Sequence, residues 1–284
     1  MPGAPPAPLS DGSGSIITFA AGAGNQFLPL DAGCLIISRV LRRIHTPRLV
    51  VGQITLDPAS ARHARDVLRL TQGTTVEVFD DAGATGAGTL VEVGPRAVVV
   101  RVEQFSNSDH ASLMRLTVAS AVPKGERADW MVEKLSELGV ERFIPLATAR
   151  SVVLPEGKNK HERWVRTATE AAKQSRRRGV MTIDPLTRVG EALKADEGSV
   201  LLLSTAPNAT PIVDALSSSR DRAPIRAFIG PEGGWTDDEV AMFDTVGATG
   251  VKLTSTVLRV ETAAIAVAAI VCSLIPSPAA PGEG

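Results

Sequence analysis

From Arg42 to about Phe105 the apolar residues come in short, β-branched runs separated by Gly, Asp or Pro: RLVVGQITL, TTVEVFDD, GAGTLVEVG and RAVVVRVEQF. Runs of this length and chemistry predict the strands of a small barrel or curled sheet. Between the first two, SARHARDVLRLTQG spaces Ala61, Ala64, Val67 and Leu68 as one face of a short helix closed by Gly73. The polar, turn-rich SNSDHAS at 106–112 reads as a linker. Beyond it the rhythm changes. LMRLTVASAV, VERFIPLAT, SVLLLST, IRAFIG and VKLTST predict strands, while RADWMVEKLSELGV, ended by Gly139, and HERWVRTATEAAKQSRR predict helices. VGEALKA, TPIVDALSSS, TDDEVAMFDTV and VETAAIAVAAIVCSLI predict four more helices. Strand and helix in alternation imply an α/β fold with a mostly parallel sheet covered on both faces. There is no internal repeat of fixed period and no heptad run.

Composition narrows the class. A chain of 284 residues with 44% apolar content can bury one large core or two modest ones. Its start, MPGAPPAPLSDGSGS, is too rich in Pro, Gly and Ser for regular structure, which predicts a tail over 1–41; CLIISRVLRRI from Cys34 could form a short element within it. A second tail is expected over 277–284. The most apolar stretch, TAAIAVAAIVCSLI from Thr262, meets proline well short of the roughly 20 residues of a membrane span, and reads as a buried helix. The amino terminus lacks the basic region and apolar core of a secretion signal, and Cys34 and Cys272 form no CxxC pair. The expected setting is cytoplasmic, without a membrane.

Net charge is -1, which excludes a uniformly basic protein but not a local basic patch. One is present: KNKHERWVRTATEAAKQSRRR, residues 158–178, holds eight Lys or Arg against two Glu. It is either a solvated helix face or a phosphate-binding surface, and its arginines favour the second. GPEGG, behind the apolar AFI, stands where open α/β sheets place ligands. It is either a tight turn or a ligand loop, with Thr236 and Glu239 spaced as a capping box for the next helix. In STVLRVETAAIA, Arg259 and Glu261 flank the start of an apolar helix, as a terminal ion pair and cap or as part of a site. His45, His63, His110 and His161 are scattered without HExxH, and no metal is expected; GxGxxG and GxxxxGK[ST] are absent. Trp130, Trp164 and Trp235 could stack on bases, but so sparse an aromatic set more often serves packing.

Taken in order, RRIHTPRL, HARDVLRL with GTTVEVFDDAG, KGERADWMVEKLSELGVERFIPL with RSVV, TEAAKQSRR, IGPEGGWTDDE and LRVETAAI resemble the bacterial 16S ribosomal RNA uracil-N3 methyltransferases. The resemblance runs from about Arg42 to Pro276. It implies a PUA-like β-barrel RNA-binding domain at 42–105, the linker at 106–112, and a trefoil-knotted methyltransferase domain at 113–276, acting as a homodimer. Periodicity reveals no knot, and topology rules alone argue against one. The implied cofactor is S-adenosylmethionine, held by Leu203 and Thr205, by Gly230, Glu232, Gly233 and Gly234, and by Leu253, Thr254 and Leu258. The implied partner is 16S rRNA in the small ribosomal subunit, contacted by Arg65, Arg69, Lys173, Arg176 and Arg177. Arg259 is expected to orient the target base and Glu261 to act as a carboxylate contact or proton acceptor. The family commonly has LGxRxLRxETA where this chain has LTSTVLRVETA, so Thr254 stands for Gly and Thr256 for Arg. That departure leaves two alternatives: a non-catalytic RNA-binding or ribosome-assembly protein, or a methyltransferase acting on another RNA nucleotide. The first 40 residues precede the usual family start, as a lineage-specific tail or because translation starts downstream; intact mass of the native protein distinguishes the two.

Overall fold

The computed structural model describes residues 41–107, 115–151, 158–177, 179–194, 198–218 and 223–274, all within one compact unit, Leu41–Gly284. The expected tails, the element from Cys34 as far as residue 40, Arg178 and most of the 106–112 linker lie outside these residues.

The smaller of two sheets contains β1 (Arg43–His45), β2 (Gly52–Thr55), β3 (Thr75–Phe79), β4 (Thr85–Val93) and β5 (Val98–Val102), in the order β1-β3-β4-β5-β2. β1 runs parallel to β3; the other pairs are antiparallel. Alternation decides the core: Val76, Val78, Leu90, Val98, Val100 and Val102 turn inward onto Ile44, while Arg101 faces out. The pairing extends to Ser106, which exchanges backbone hydrogen bonds of 3.0 and 2.9 Å with Thr85.

The helix expected after β2 is shorter and changes pitch. α1 (Pro58–Arg62) is capped by Asp57, whose carboxylate accepts from the N–H groups of Ala59 and Ser60. The chain then widens into one π-turn, His63–Val67, closed by the Leu68 N–H on the His63 carbonyl at 2.9 Å. The wider turn rotates Val67 off the apolar face: Ala61 and Ala64 are buried, but Val67 is 65% exposed. Arg69, at φ +51°, ends the element before Gly73 is reached.

The larger sheet follows in the chain as β6 (Leu116–Ser120), α2 (Glu126–Glu137), β7 (Arg142–Ala147), α3 (Lys158–Ser175), β8 (Thr182–Ile183), β9 (Thr187–Arg188), α4 (Val189–Lys194), β10 (Ser199–Leu203), β11 (Thr210–Pro211), α5 (Ile212–Ser218), β12 (Ile225–Ile229), α6 (Asp237–Thr245), β13 (Thr249–Lys252) and α7 (Val260–Ser273). The strand order is β11-β13-β10-β12-β6-β7-β8, with β9 on β7, and every pairing is parallel. Both faces are covered. Val118, Ala227 and Ile229 pack with Met131, Leu135, Trp164 and with Ala264 and Val267 of α7. The alternate residues Ala119 and Phe228 pack with Ala192 and Phe243 on the other face. Trp164 is buried and donates its indole N–H to Asp129 at 2.9 Å, a packing role. The two-residue strands β8, β9 and β11 are too short to leave a period in the sequence.

Candidate functional site

In an all-parallel sheet the carboxyl ends of the strands open on one edge. The three loops that follow β10, β12 and β13 line a cavity of about 760 Å³ there, closed from below by Val260 and Ala263 of α7. Its walls include Leu203, Thr205, Gly230, Glu232, Gly234, Leu253, Thr254 and Leu258. Of the nine residues expected to meet a cofactor, only Gly233 is outside the lining; it sits against Arg150 instead.

The turn after β12 is rigid for identifiable reasons. The Gly234 N–H closes on the Pro231 carbonyl at 2.8 Å, and Gly234 has φ +72°. Thr236 caps α6, and the capping box with Glu239 is present as its spacing predicts. Glu239 is buried, and its other oxygen accepts from the Ala149 N–H at 2.9 Å. Arg150 donates to the carbonyls of Gly233 and Trp235 at 2.9 and 3.2 Å. The loop after β7 thus clasps the glycine turn. A Cβ on Gly230 would stand 2.8 Å from the indole of Trp235, so glycine is what lets that ring form the cavity wall. Trp235 is backed by Phe243 at 4.9 Å between centroids.

The loop after β13 resolves the Thr254 substitution. Among the described non-glycine residues only Arg69 and Arg176 have positive φ, so Thr254 occupies backbone open to any side chain. Its hydroxyl accepts from the Thr256 N–H at 3.1 Å and donates to the Thr256 carbonyl at 2.9 Å, a local turn that a glycine could not make. Thr254→Gly should therefore loosen the loop and weaken ligand binding in this cavity about two- to fivefold, measured by calorimetry, through the roughly 0.5–1 kcal/mol of added backbone freedom.

Arg259 is the N-cap residue of α7, exposed, and makes no side-chain cap bond. Glu261, two residues on, is only 4% exposed and pairs with Arg127 of α2 at 3.2 Å rather than with Arg259. Its second oxygen has no hydrogen-bond partner among the described residues. Neither residue lines the cavity; both flank it through Leu258 and Val260.

A sequence profile described as an RNA methyltransferase domain matches residues 110–272. The chain belongs to the RNA methyltransferase family. A second profile, described as an RNA methyltransferase PUA domain, matches residues 56–103. Ribosomal RNA small subunit methyltransferase E of Synechocystis sp. is 32% identical over 233 residues, 81% of this chain and 76% of that protein. The Bacillus subtilis protein of the same name is 29% identical over 71% of this chain and 82% of its own length. The crystal structure of the Neisseria gonorrhoeae protein of that name, bound to S-adenosyl methionine, superposes with a TM-score of 0.71 at 27% identity, covering 82% of this chain and 98% of that one.

The five cations expected at the RNA of this methyltransferase stand very differently. Arg69 and Arg176 are exposed. Arg65 is partly spent on Asp66 at 2.7 Å and on the carbonyls of Gly94 and Pro95. Lys173 is paired with Glu170 at 2.7 Å and largely covered. Arg177 is turned inward: it donates to the carbonyls of Ser136 and Val140 at 3.0 and 2.7 Å, and burial draws its pKa down to about 10. Those bonds hold the carboxyl end of α2. Arg150, Glu239 and Trp235 were not singled out as site residues in the sequence. The sequence offers Glu239 as half of a capping box and Trp235 as an aromatic in the GGW segment, and Arg150 only as the start of RSVV.

Proposed function

We propose that this chain transfers a methyl group from S-adenosylmethionine to N3 of a uracil in 16S ribosomal RNA of the small subunit. The observation that carries the reading is the cavity at the carboxyl edge of β10, β12 and β13, in a chain whose relatives include a ribosomal RNA methyltransferase solved with that cofactor. The cavity volume of about 760 Å³ falls in the roughly 300–1,000 Å³ range of small-molecule sites. Its donor set also fits: Leu203, Leu253, Leu258 and Trp235 offer apolar walls for an adenine, and Glu232 offers a carboxylate for a cationic group. Gly230 and Gly234 keep the backbone close to the ligand. When bound, the cofactor supplies an activated methyl group.

The chain's own residues supply orientation and charge. Uracil N3–H is only weakly acidic, so the developing anion on the ring must be stabilised before N3 becomes nucleophilic. Arg259, exposed beside Leu258 at the cavity rim, suits a contact to O2 or O4 of that ring. Glu261, beside the Arg127 guanidinium and in the first turn of α7, suits holding that rim in place. A paired target base would have to leave its stack. Arg69 and Arg176 supply phosphate contacts. Each of Arg69→Ala and Arg176→Ala is expected to lower the salt dependence of RNA binding by about one counterion, whereas Arg177→Ala should lower the melting temperature instead.

The boundaries we favour are a PUA-like barrel over 42–105, extended to Ser106 by its pairing with Thr85, and a methyltransferase domain from 113 to 276. A trefoil knot is part of this proposal on the family resemblance, with α7 returning from β13 to pack on β12, β6 and α2. Trp130, 48% exposed on α2, supports a homodimer, which sedimentation tests. The cytoplasm, where small subunits are assembled, is the expected compartment. The decisive experiment incubates the protein and labelled cofactor with small-subunit particles from a strain lacking the gene, then maps the product by digestion and mass spectrometry. Label on N3 of one uridine is expected; no transfer overturns the enzyme reading, and label elsewhere overturns the uracil assignment.

A further inference from the structure

One buried side chain of the smaller sheet reaches across to the larger part of the molecule. Arg43, in β1, is 8% exposed. On its own sheet its Nε lies 3.1 Å from Glu77, and its guanidinium stacks 4.0 Å above the ring of Phe79. Across the junction, Nη1 donates to the carbonyl of Ala172, in the last turn of α3, at 3.2 Å and to that of Arg177 at 2.9 Å. Arg177 in turn grips the end of α2 through the carbonyls of Ser136 and Val140. Two lighter contacts lie beside it. The Val180 N–H reaches the Asp81 carbonyl at 3.3 Å, and Arg176 donates to the Leu41 carbonyl at 3.2 Å. Gly179, at φ +74°, passes so near that a Cβ there would stand 2.9 Å from the Asp81 oxygen.

A charge buried at a junction contributes little net stability, because desolvation offsets what its partners return. What a stacked guanidinium with Nη1 on two carbonyls does confer is a fixed angle, since its planar group meets the Phe79 ring and both acceptors only in one orientation. Exposed Arg69 on one side of this junction and exposed Arg176 on the other are thereby kept at a set separation. We infer that Arg43 is a positioning residue for the RNA substrate: it locks the smaller sheet to the end of α3, so that cations on both parts hold one RNA at a fixed reach from the methyl-transfer cavity. The inference rests on the reading of the smaller sheet as an RNA-binding part.

Steady-state methylation of small-subunit particles by the full chain tests it, with Arg43→Met, which keeps the stem and leaves the Glu77 carboxylate to the solvent that already reaches it, and Gly179→Ala, which wedges the same junction without touching Arg43. Both variants should raise the KM for particles about tenfold, as two binding parts lose their shared effective concentration. kcat should stay within about twofold and cofactor affinity by calorimetry should be unchanged, the pattern of lost uniform binding. An unchanged KM in both variants, or a parallel fall in kcat and cofactor affinity, overturns the inference. Arg69→Glu separates that failure from failure of the underlying reading. If it raises KM while the junction variants do not, only the lock is wrong; if it also leaves KM unchanged, the RNA-binding reading of the smaller sheet falls as well.

Discussion

Gly230→Ala is expected to abolish most cofactor binding while leaving the chain folded. The added methyl would stand 2.8 and 2.9 Å from two atoms of the Trp235 indole. The ring cannot retreat, because Phe243 backs it at 4.9 Å and Phe228 backs Phe243 at 5.1 Å, and both phenylalanines are fully buried. The remaining direction is into the cavity. Overpacking of this kind costs roughly 1–3 kcal/mol. Because the ring's escape fills the ligand's space, that cost falls on binding, where each 1.4 kcal/mol is about tenfold; a 10- to 100-fold loss of affinity for S-adenosylmethionine is expected by calorimetry. Two glycines serve as controls. At Gly233 the nearest atom to a new Cβ is the Cβ of Arg150 at 3.2 Å, a tight contact but a longer one than the 2.8 Å at Gly230, so a smaller loss is expected. At Gly250 nothing lies within 4 Å and no loss is expected. Equal affinities in all three variants would show that the indole does not wall the ligand.

This contrast also shows which parts of the site could be read in the chain. The capping box of α6 is legible because Thr236 and Glu239 are three residues apart and their bonds are local. The alternation that sends Ala227 to one face and Phe228 to the other is legible for the same reason. The clasp on the glycine turn is not: Arg150 and Gly233 are 83 residues apart, and nothing in either segment names the other. Arg177 illustrates the opposite case. In sequence it belongs to a run of cations, but its partners, 37 and 41 residues away, turn it into an internal anchor. The π-turn at His63–Val67 escaped the helical pattern because one extra residue in a turn shifts the phase without altering composition. Thr254 was legible as a departure from the family pattern, yet its consequence depended on a backbone angle that sequence does not state.

Glu261→Gln should separate stability from activity most sharply. The carboxylate is 4% exposed, with one oxygen on Arg127 at 3.2 Å and the other without a hydrogen-bond partner among the described residues. Two effects favour it. The first turn of a helix stabilises a carboxylate by about 0.3–1 kcal/mol, and a pair with a guanidinium whose side chain is 43% exposed contributes at most about 1 kcal/mol after solvent screening. Against them stands an orphaned buried acceptor, which costs about 1–3 kcal/mol. The sum is near zero, so folding does not explain why a charge sits there. We propose that a function does: the carboxylate holds Arg127 and the start of α7, where Arg259 flanks the cavity beside Leu258. Replacing it with the isosteric amide should therefore move the melting temperature by no more than about 4 °C, the shift of roughly 1 kcal/mol in a domain this size. Methyl transfer should fall about 100-fold or more in kcat, as when a charge-orienting group is removed from a site. Arg259→Ala should match that loss with no change in melting temperature, because the exposed guanidinium makes no bond to the described residues. A Glu261→Gln protein that melts early yet keeps its kcat would make the residue a structural pair with Arg127 and nothing more.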